Sequence, residues 1–286
     1  MSRVELLASY WTICGGAEPH TDQEWSPFGL RERAEAASKA GFTGLGIWHA
    51  DLLHLRERHG LAEMRRILAD NGIRHLELEF LTDWFLPPGE RRTASDQLRR
   101  TLLESAAALG ARHVKVGDFF DSPVGMPQLI DAFGELCREA AAHGTRIVFE
   151  LMPFSVIDTL EDALALVEGA DQPNSGICID LWHVVKLGIP YESVAAIPKR
   201  RLGSIEINDG FLETPPGMTL HEETIGHRQF CGEGQFDVRG FVERMVRAGY
   251  DGPWGIEVLN AAHRRELPLD DVVRRAYRTT RAQFAA

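Results

Sequence analysis

One unit of polar and hydrophobic positions recurs along the chain. A charged, Ala/Leu-rich stretch with helical period runs up to a Gly, and a short run of Val, Ile, Leu and Phe follows it. It reads RAEAASKAG–FTGLGIW, MRRILADNG–IRHLELEF, LESAAALG–ARHVKV, CREAAAHG–TRIVFEL and VERMVRAG–YDGPWGIEVL, with the stops at Gly41, Gly72, Gly110, Gly144 and Gly249. A Gly just past a helix takes the left-handed conformation at little cost, so each marks a helix end. The apolar run after it has the continuous hydrophobicity of a strand buried on both faces. With VELLASYW at the start, SGICID and RLGSIEIN, the pattern predicts eight strands, near 4–10, 44–48, 73–80, 112–117, 146–151, 176–180, 202–208 and 254–259.

Strands alternating with helices imply parallel pairing through crossover helices. Eight units predict a closed α/β barrel, (β/α)8, as a single domain over 1–286. No Gly-x-Gly-x-x-Gly turn follows the first strand, which removes the usual dinucleotide signal. The one long connection, at about 209–234, carries two His, one Arg and several Gly, and is expected to be functional.

In such a barrel the chemistry gathers at the C-terminal ends of the strands. Four apolar strands end in acids there: RIVFE in Glu150, GICID in Asp180, GSIEIND in Glu206 and Asp209, and WGIEVLN in Glu257. Singly, each reads as a solvated strand end or a partner for an Arg. Together Glu150, Asp180, Glu206 and Glu257 would converge and repel one another unless a cation sits among them, and a divalent metal answers that. Four oxygen donors favour Mn²⁺ or Mg²⁺, with Co²⁺ and Zn²⁺ admitted. Four carboxylates exceed the charge of one divalent ion. Glu206 therefore either binds the metal, is protonated, or pairs with a cation such as Arg228.

Alternation places further polar residues inside. Lys115, between Val114 and Val116, points inward as a substrate clamp or as a partner of Glu79 or Glu150. Glu77 and Glu79 share a face, and one of them lines the interior. His49 ends the second strand and is a weaker substrate candidate. Trp11, Trp48, Trp84 and Trp182 lie at or past strand ends, either as a wall against a sugar ring or as packing under the loops.

Composition narrows the partners. A formal charge of −11 works against nucleic-acid and anionic membrane surfaces. The four cysteines, Cys14, Cys137, Cys178 and Cys231, form no Cys-x-x-Cys pair, and no signal peptide or membrane span is visible. A cytoplasmic protein acting on a small molecule is expected, and a homo-oligomer is left open.

The motifs FELMPF with Glu150, DLWH with Asp180 and His183, IEINDG with Glu206, HRQFCGEGQFD, and GYDGPWGIEVLN with Glu257 resemble the sugar phosphate isomerase/epimerase superfamily, the xylose isomerase-like barrels. The resemblance covers most of the chain and is strongest over 146–260. It implies one divalent metal on Glu150, Asp180 and Glu257. On strand seven, where the family has His or Gln, this chain has Glu206. It also implies substrate contacts from His183 and from the region of His227 and Arg228, alongside the candidates Lys115, Glu79, His49 and Trp11.

The chemistry so implied is proton abstraction next to a carbonyl through a metal-stabilised enediolate, with Glu150 and Glu257 on opposite faces of the sugar. The leading expectation is a metal-dependent isomerase or epimerase of a sugar, keto-sugar or polyol derivative. The alternative is a dehydratase or lyase acting on an oxo-cyclitol, a dehydroshikimate-like acid or a 3-oxo-glycoside. A DNA-repair endonuclease would want more metal-binding His and a basic groove. A non-catalytic binder would keep ligand affinity without either glutamate.

Overall fold

The computed structural model describes residues 4–119 and 124–284. Eight strands, β1 (Leu6–Ala8), β2 (Gly44–Trp48), β3 (His75–Leu81), β4 (His113–Val116), β5 (Arg146–Glu150), β6 (Ser175–Asp180), β7 (Leu202–Ile207) and β8 (Trp254–Ile256), close in sequence order into an all-parallel barrel. The eight expected strands are all present. The stop glycines take positive φ, such as 111° at Gly41 and 73° at Gly110.

The outer strands of the pattern are shorter than the hydrophobic runs suggested. After Ala8 the chain turns into the helix Tyr10–Ile13, and after Ile256 it leaves the sheet. There Val258 N donates to Thr12 Oγ1 (2.8 Å), and Leu259 O accepts from Arg228 N (3.0 Å). The first residue past each end still bonds the neighbouring strand, Ser9 N to Ile256 O (3.1 Å) and Glu257 N to Ile207 O (3.4 Å), and loops satisfy the backbone beyond.

Side-chain alternation splits the barrel into two environments. Outward residues such as Val114, Val116, Ile147, Phe149, Ile177 and Ile179 pack with the helices in the main hydrophobic core. Inward residues are mostly polar or glycine. Glu77, Glu79, His113, Lys115, Cys178, Ser204 and Glu206 are all buried. Barrels are usually filled by branched aliphatics; here missing Cβ atoms make room for acids. A Cβ at Gly46 would stand 2.8 Å from Glu77 Oε1 and from Glu79 Oε1, and 2.7 Å from Tyr10 N. A Cβ at Gly255 would meet Glu206 Cγ at 2.7 Å. Gly46→Ala is therefore expected to destabilise by about 1–3 kcal/mol, because a backbone atom is among those that must shift. Urea unfolding checks it, and an unchanged midpoint would show that the acids can move aside.

The 209–234 connection is structured from its base. Asp209 accepts from Gly210 N, Gly232 N and Phe236 N, each at 2.8 Å. The helix Leu220–Gly226 opens with a capping box between Thr219 and Glu222. Its Glu223 accepts from Trp182 Nε1 (3.1 Å) and pairs with Lys186 (2.7 Å). The segment is thus clamped over the β6 and β7 ends. Among the described residues no helix is long and apolar enough to cross a membrane.

Candidate active site

Pairing of the strands brings the acids to the same end of the barrel, stepped along it. Asp180 on β6 lies level with Glu206 on β7, and Glu150 on β5 ends its strand beside Cys178. Glu257 follows β8 directly. One carboxylate oxygen from each of Glu150, Asp180, Glu206 and Glu257 lies within 4.8 Å of the others, and all four residues are buried. The convergence expected from the strand ends is present. A second group, Glu150, Asp180 and His183, meets the same spacing.

Two fixed cations run through this cluster. Lys115 Nζ lies 2.8 Å from Glu206 Oε2, 2.9 Å from Glu79 Oε2, 3.4 Å from Glu257 Oε1 and 3.6 Å from Glu150 Oε2. Its inward direction follows the alternation of β4, and it meets both acids named from sequence along with two more. Arg228 Nη1 donates to Asp180 Oδ2 (2.6 Å) and Glu257 Oε2 (2.8 Å), while Nη2 reaches Thr224 Oγ1 (2.8 Å). The Arg228 guanidinium stands over the Trp182 ring at 5.3 Å. The cation beside Glu206 is thus Lys115, not Arg228.

Five carboxylates share these two cations, and burial sets the outcome. It pushes Glu79 up to about 7 and raises Glu206 and Glu257 well above the usual carboxylate range, with neighbouring acids adding to the effect. Burial acts the same way on Asp180 and Glu150. There it is outweighed, by Arg228 and His183 at Asp180 and by Lys115 and His183 at Glu150, so both are lowered. Burial alone would lower Lys115, but its acids raise it well above its ordinary value.

The sign of the resulting pH dependence follows by linkage. Carboxyls raised in the folded state hold protons more tightly than in the unfolded chain, so their stabilising contribution is lost as pH rises through the folded pKa. The thermal midpoint of the protein in EDTA is expected to fall from about pH 5 to about pH 8, because the unfolded chain releases the Glu79, Glu206 and Glu257 protons more readily than the folded protein does. Asp180 and Glu150 act oppositely, below the usual carboxylate range. Calorimetry across that window checks it, and a rising midpoint would mean that the cluster is not charge-starved.

Above the acids opens a cavity continuous with solvent. Glu79, Glu150, His183, Arg228 and Glu257 reach it from below, and Trp11, Trp48, Phe80, Phe119 and Phe154 form much of its wall. Trp48 and Phe80 stack at 6.1 Å, and Trp11 and Trp48 lie 5.2 Å apart. From the long connection come His221, Thr224, Ile225 and Arg228.

Several expectations shift position. Lys115, Asp180 and Glu206 lie beneath the cavity floor and not on its wall. A substrate clamp at Lys115 is corrected accordingly: its ammonium is enclosed by acids. His227 is exposed, pairs through its backbone with Asn260, and does not line the cavity. His49 also stays off the wall. Trp84 packs in the outer core against Phe85 and Phe133, and Trp182 stands behind Arg228. Glu77 sits lower than Glu79 and faces His113 at 3.4 Å.

Sequence reasoning missed Glu24, His20 and His221 at the mouth. Glu24 accepts from Trp48 Nε1 at 3.1 Å, and the His20 and His221 rings lie 5.3 Å apart. It also missed Ser9, whose hydroxyl donates to Glu206 Oε1 at 2.8 Å. Nothing in the local pattern marks these residues, because loops distant in sequence bring them in.

Comparison with known proteins places this geometry. Residues 34–282 match the family model described as xylose isomerase-like TIM barrel. A 3-dehydroshikimate dehydratase of Pseudomonas aeruginosa is 31% identical over 238 residues, covering 82% of this chain. The chain spans only 37% of that protein's length. An inosose isomerase of Bacillus velezensis is 22% identical, covering 88% of this chain and 91% of its own. The crystal structure of the IOLI protein, with a bound zinc atom, superposes with a TM-score of 0.80 at 18% identity, covering 98% of each chain. The closed parallel barrel, the acids at its C-terminal mouth and the match over 34–282 agree: the chain belongs to the xylose isomerase-like TIM barrel family.

Proposed function

We propose that this protein is a divalent-metal-dependent isomerase or epimerase of a sugar, keto-sugar or polyol derivative. The observation that carries the reading is the placement of Glu150 and Glu257. Both reach one ring-sized cavity from different strands, with Lys115 Nζ beneath them at 3.6 and 3.4 Å. Their environments push them apart: Lys115 and His183 favour the ionised form of Glu150, suited to take a proton, whereas burial favours the protonated form of Glu257, suited to give one. Return of the proton to the same carbon from the other face inverts that centre. Return to the neighbouring carbon interconverts aldose and ketose.

The donor set fits a metal. Clustered carboxylate oxygens within 4.8 Å, more numerous than Lys115 and Arg228 can pair, make a site for a hard divalent cation, which would displace the protons that burial favours on them. Residues drawn from Glu150, Asp180, Glu206 and Glu257 would hold such an ion, which would supply carbonyl polarisation there. Mn²⁺ or Mg²⁺ suits an all-oxygen set. The aromatic wall covers the apolar face of a sugar ring and excludes water. Arg228, already engaged by two carboxylates, leaves the acid-lined floor better matched to an uncharged substrate than to a phosphate or carboxylate. Four unpaired buried cysteines suit a reducing cytoplasm.

A second reading, a dehydratase or lyase using the same proton abstraction, is favoured by the 31% identity to a 3-dehydroshikimate dehydratase. NMR in D₂O with Mn²⁺ and a panel of keto-sugars and oxo-cyclitols separates them. Deuterium incorporation without loss of a fragment supports isomerisation or epimerisation, and loss of water or an aglycone supports the lyase. Neither outcome across the panel removes both readings.

A further inference from the structure

Glu24 differs from the other acids that line the cavity. Glu79 and Glu150 pair with Lys115, and Glu257 pairs with Lys115 and Arg228. Among the described residues Glu24 has no cation, and its side chain meets two neutral donors. Its Oε1 accepts from His20 N at 2.8 Å, and its Oε2 accepts from Trp48 Nε1 at 3.1 Å. A carboxylate offers about four lone-pair sites, so about half of them remain unfilled.

The surrounding chain fixes Glu24 at the mouth. It sits in the loop 14–29, where Tyr10 Oη donates to the Glu24 carbonyl at 2.7 Å. Two residues on, Ser26 N donates to Asp51 Oδ1 at 3.0 Å, and Asp51 pairs with Arg33 at 2.6 Å, both side chains buried. The indole that Glu24 holds belongs to Trp48, which stacks on Phe80 and lies 5.2 Å from Trp11. The carboxylate thus stands beside the aromatic wall of the cavity. That combination suits a polyol, whose C–H face lies on aromatics while its hydroxyls donate to a carboxylate. It opposes an anion, because like charges at short range repel in a partly desolvated site. Counter-charge is scarce. Arg228 is the one guanidinium lining the cavity among the described residues, and Asp180 and Glu257 hold it. Burial and the neighbouring His20 keep His221 below its ordinary value, which favours its neutral form.

We propose that Glu24 sets the specificity of the site: it accepts hydroxyl hydrogens at the mouth end of the substrate and turns away phosphate or carboxylate there. This rests on the carbohydrate reading above and deepens it. The substrate is a neutral polyhydroxy ketone, not a sugar phosphate or an oxo acid of the 3-dehydroshikimate type.

The test measures binding by calorimetry to the full chain, loaded with Mn²⁺ and freed of excess ion. Two pairs of ketones serve as probes: D-fructose with D-fructose 6-phosphate, and inosose with 3-dehydroshikimate. Wild type is expected to bind the neutral member of a pair about tenfold more tightly than the anionic one. Glu24→Gln is expected to narrow that ratio to below about threefold, with a gain for the anion and a loss for the neutral ligand. Tyr10→Phe frees the Glu24 carbonyl and leaves the charge in place. It is expected to weaken both members alike and keep the ratio, as a merely structural role for Glu24 would. A wild-type preference for either anion, or an unchanged ratio in Glu24→Gln, would overturn the assignment. Turnover of an anionic probe in preference to its neutral partner would sink this assignment and leave the enzyme reading standing. Wild type binding none of the four would sink the carbohydrate reading itself, and the assignment with it.

Discussion

Lys115→Met is expected to lose about 3–5 kcal/mol of stability at neutral pH, enough to leave a protein of ordinary stability close to unfolding. The side chain is 1% exposed and stands within 3.6 Å of four acids. Removing it leaves Arg228 as the one fixed cation within reach of these acids among the described residues, and Arg228 touches only Asp180 and Glu257. Denaturant unfolding reads the loss as a lower midpoint. Two controls separate charge from packing. Adding Glu206→Gln should restore part of the loss, because the acid most completely paired with Lys115 is then neutral. Lowering the pH to about 5 should shrink the loss, because the remaining acids take up protons. A midpoint that neither change moves would assign the effect to packing.

Glu150→Gln and Glu257→Gln are expected to cut turnover by roughly 10²–10⁴-fold each, the range for loss of a positioned acid or base. They should differ in solvent exchange. With Glu257→Gln, the ionised Glu150 still takes the proton, so exchange into recovered substrate survives while product formation fails. With Glu150→Gln, both exchange and product formation fail. Steady-state kinetics with deuterium content of the recovered substrate reads both. Wild-type turnover in both variants would place the chemistry elsewhere.

The strand-end acids were legible because barrel geometry converts position along a strand into position in space. Glu150, Asp180 and Glu206 end apolar runs, Glu257 follows one, and parallel pairing in a closed barrel gathers them at one mouth. Lys115 was legible as inward-pointing from its two Val neighbours, but not its depth. Whether an inward side chain reaches the cavity or lies under its floor depends on the strands opposite, here on glycines that let Glu77, Glu79 and Glu206 into the interior. His227 and His221 show the limit more sharply. Both lie in the long connection, and only the clamp of Asp209 and Glu223 decides that His221 faces the cavity and His227 faces solvent.

By itself, then, the sequence determined the eight-stranded barrel, its helix stops and the ring of acids, because periodicity and Gly placement are local properties that the backbone obeys whatever surrounds it. Tertiary structure alone decided which cation each acid meets. Lys115 reaches Glu206 across 91 positions of sequence, and Arg228 reaches Asp180 across 48. Charges at short range in a buried site take their protonation and their partners from whatever lies within a few ångströms, and closure of the barrel sets that neighbourhood.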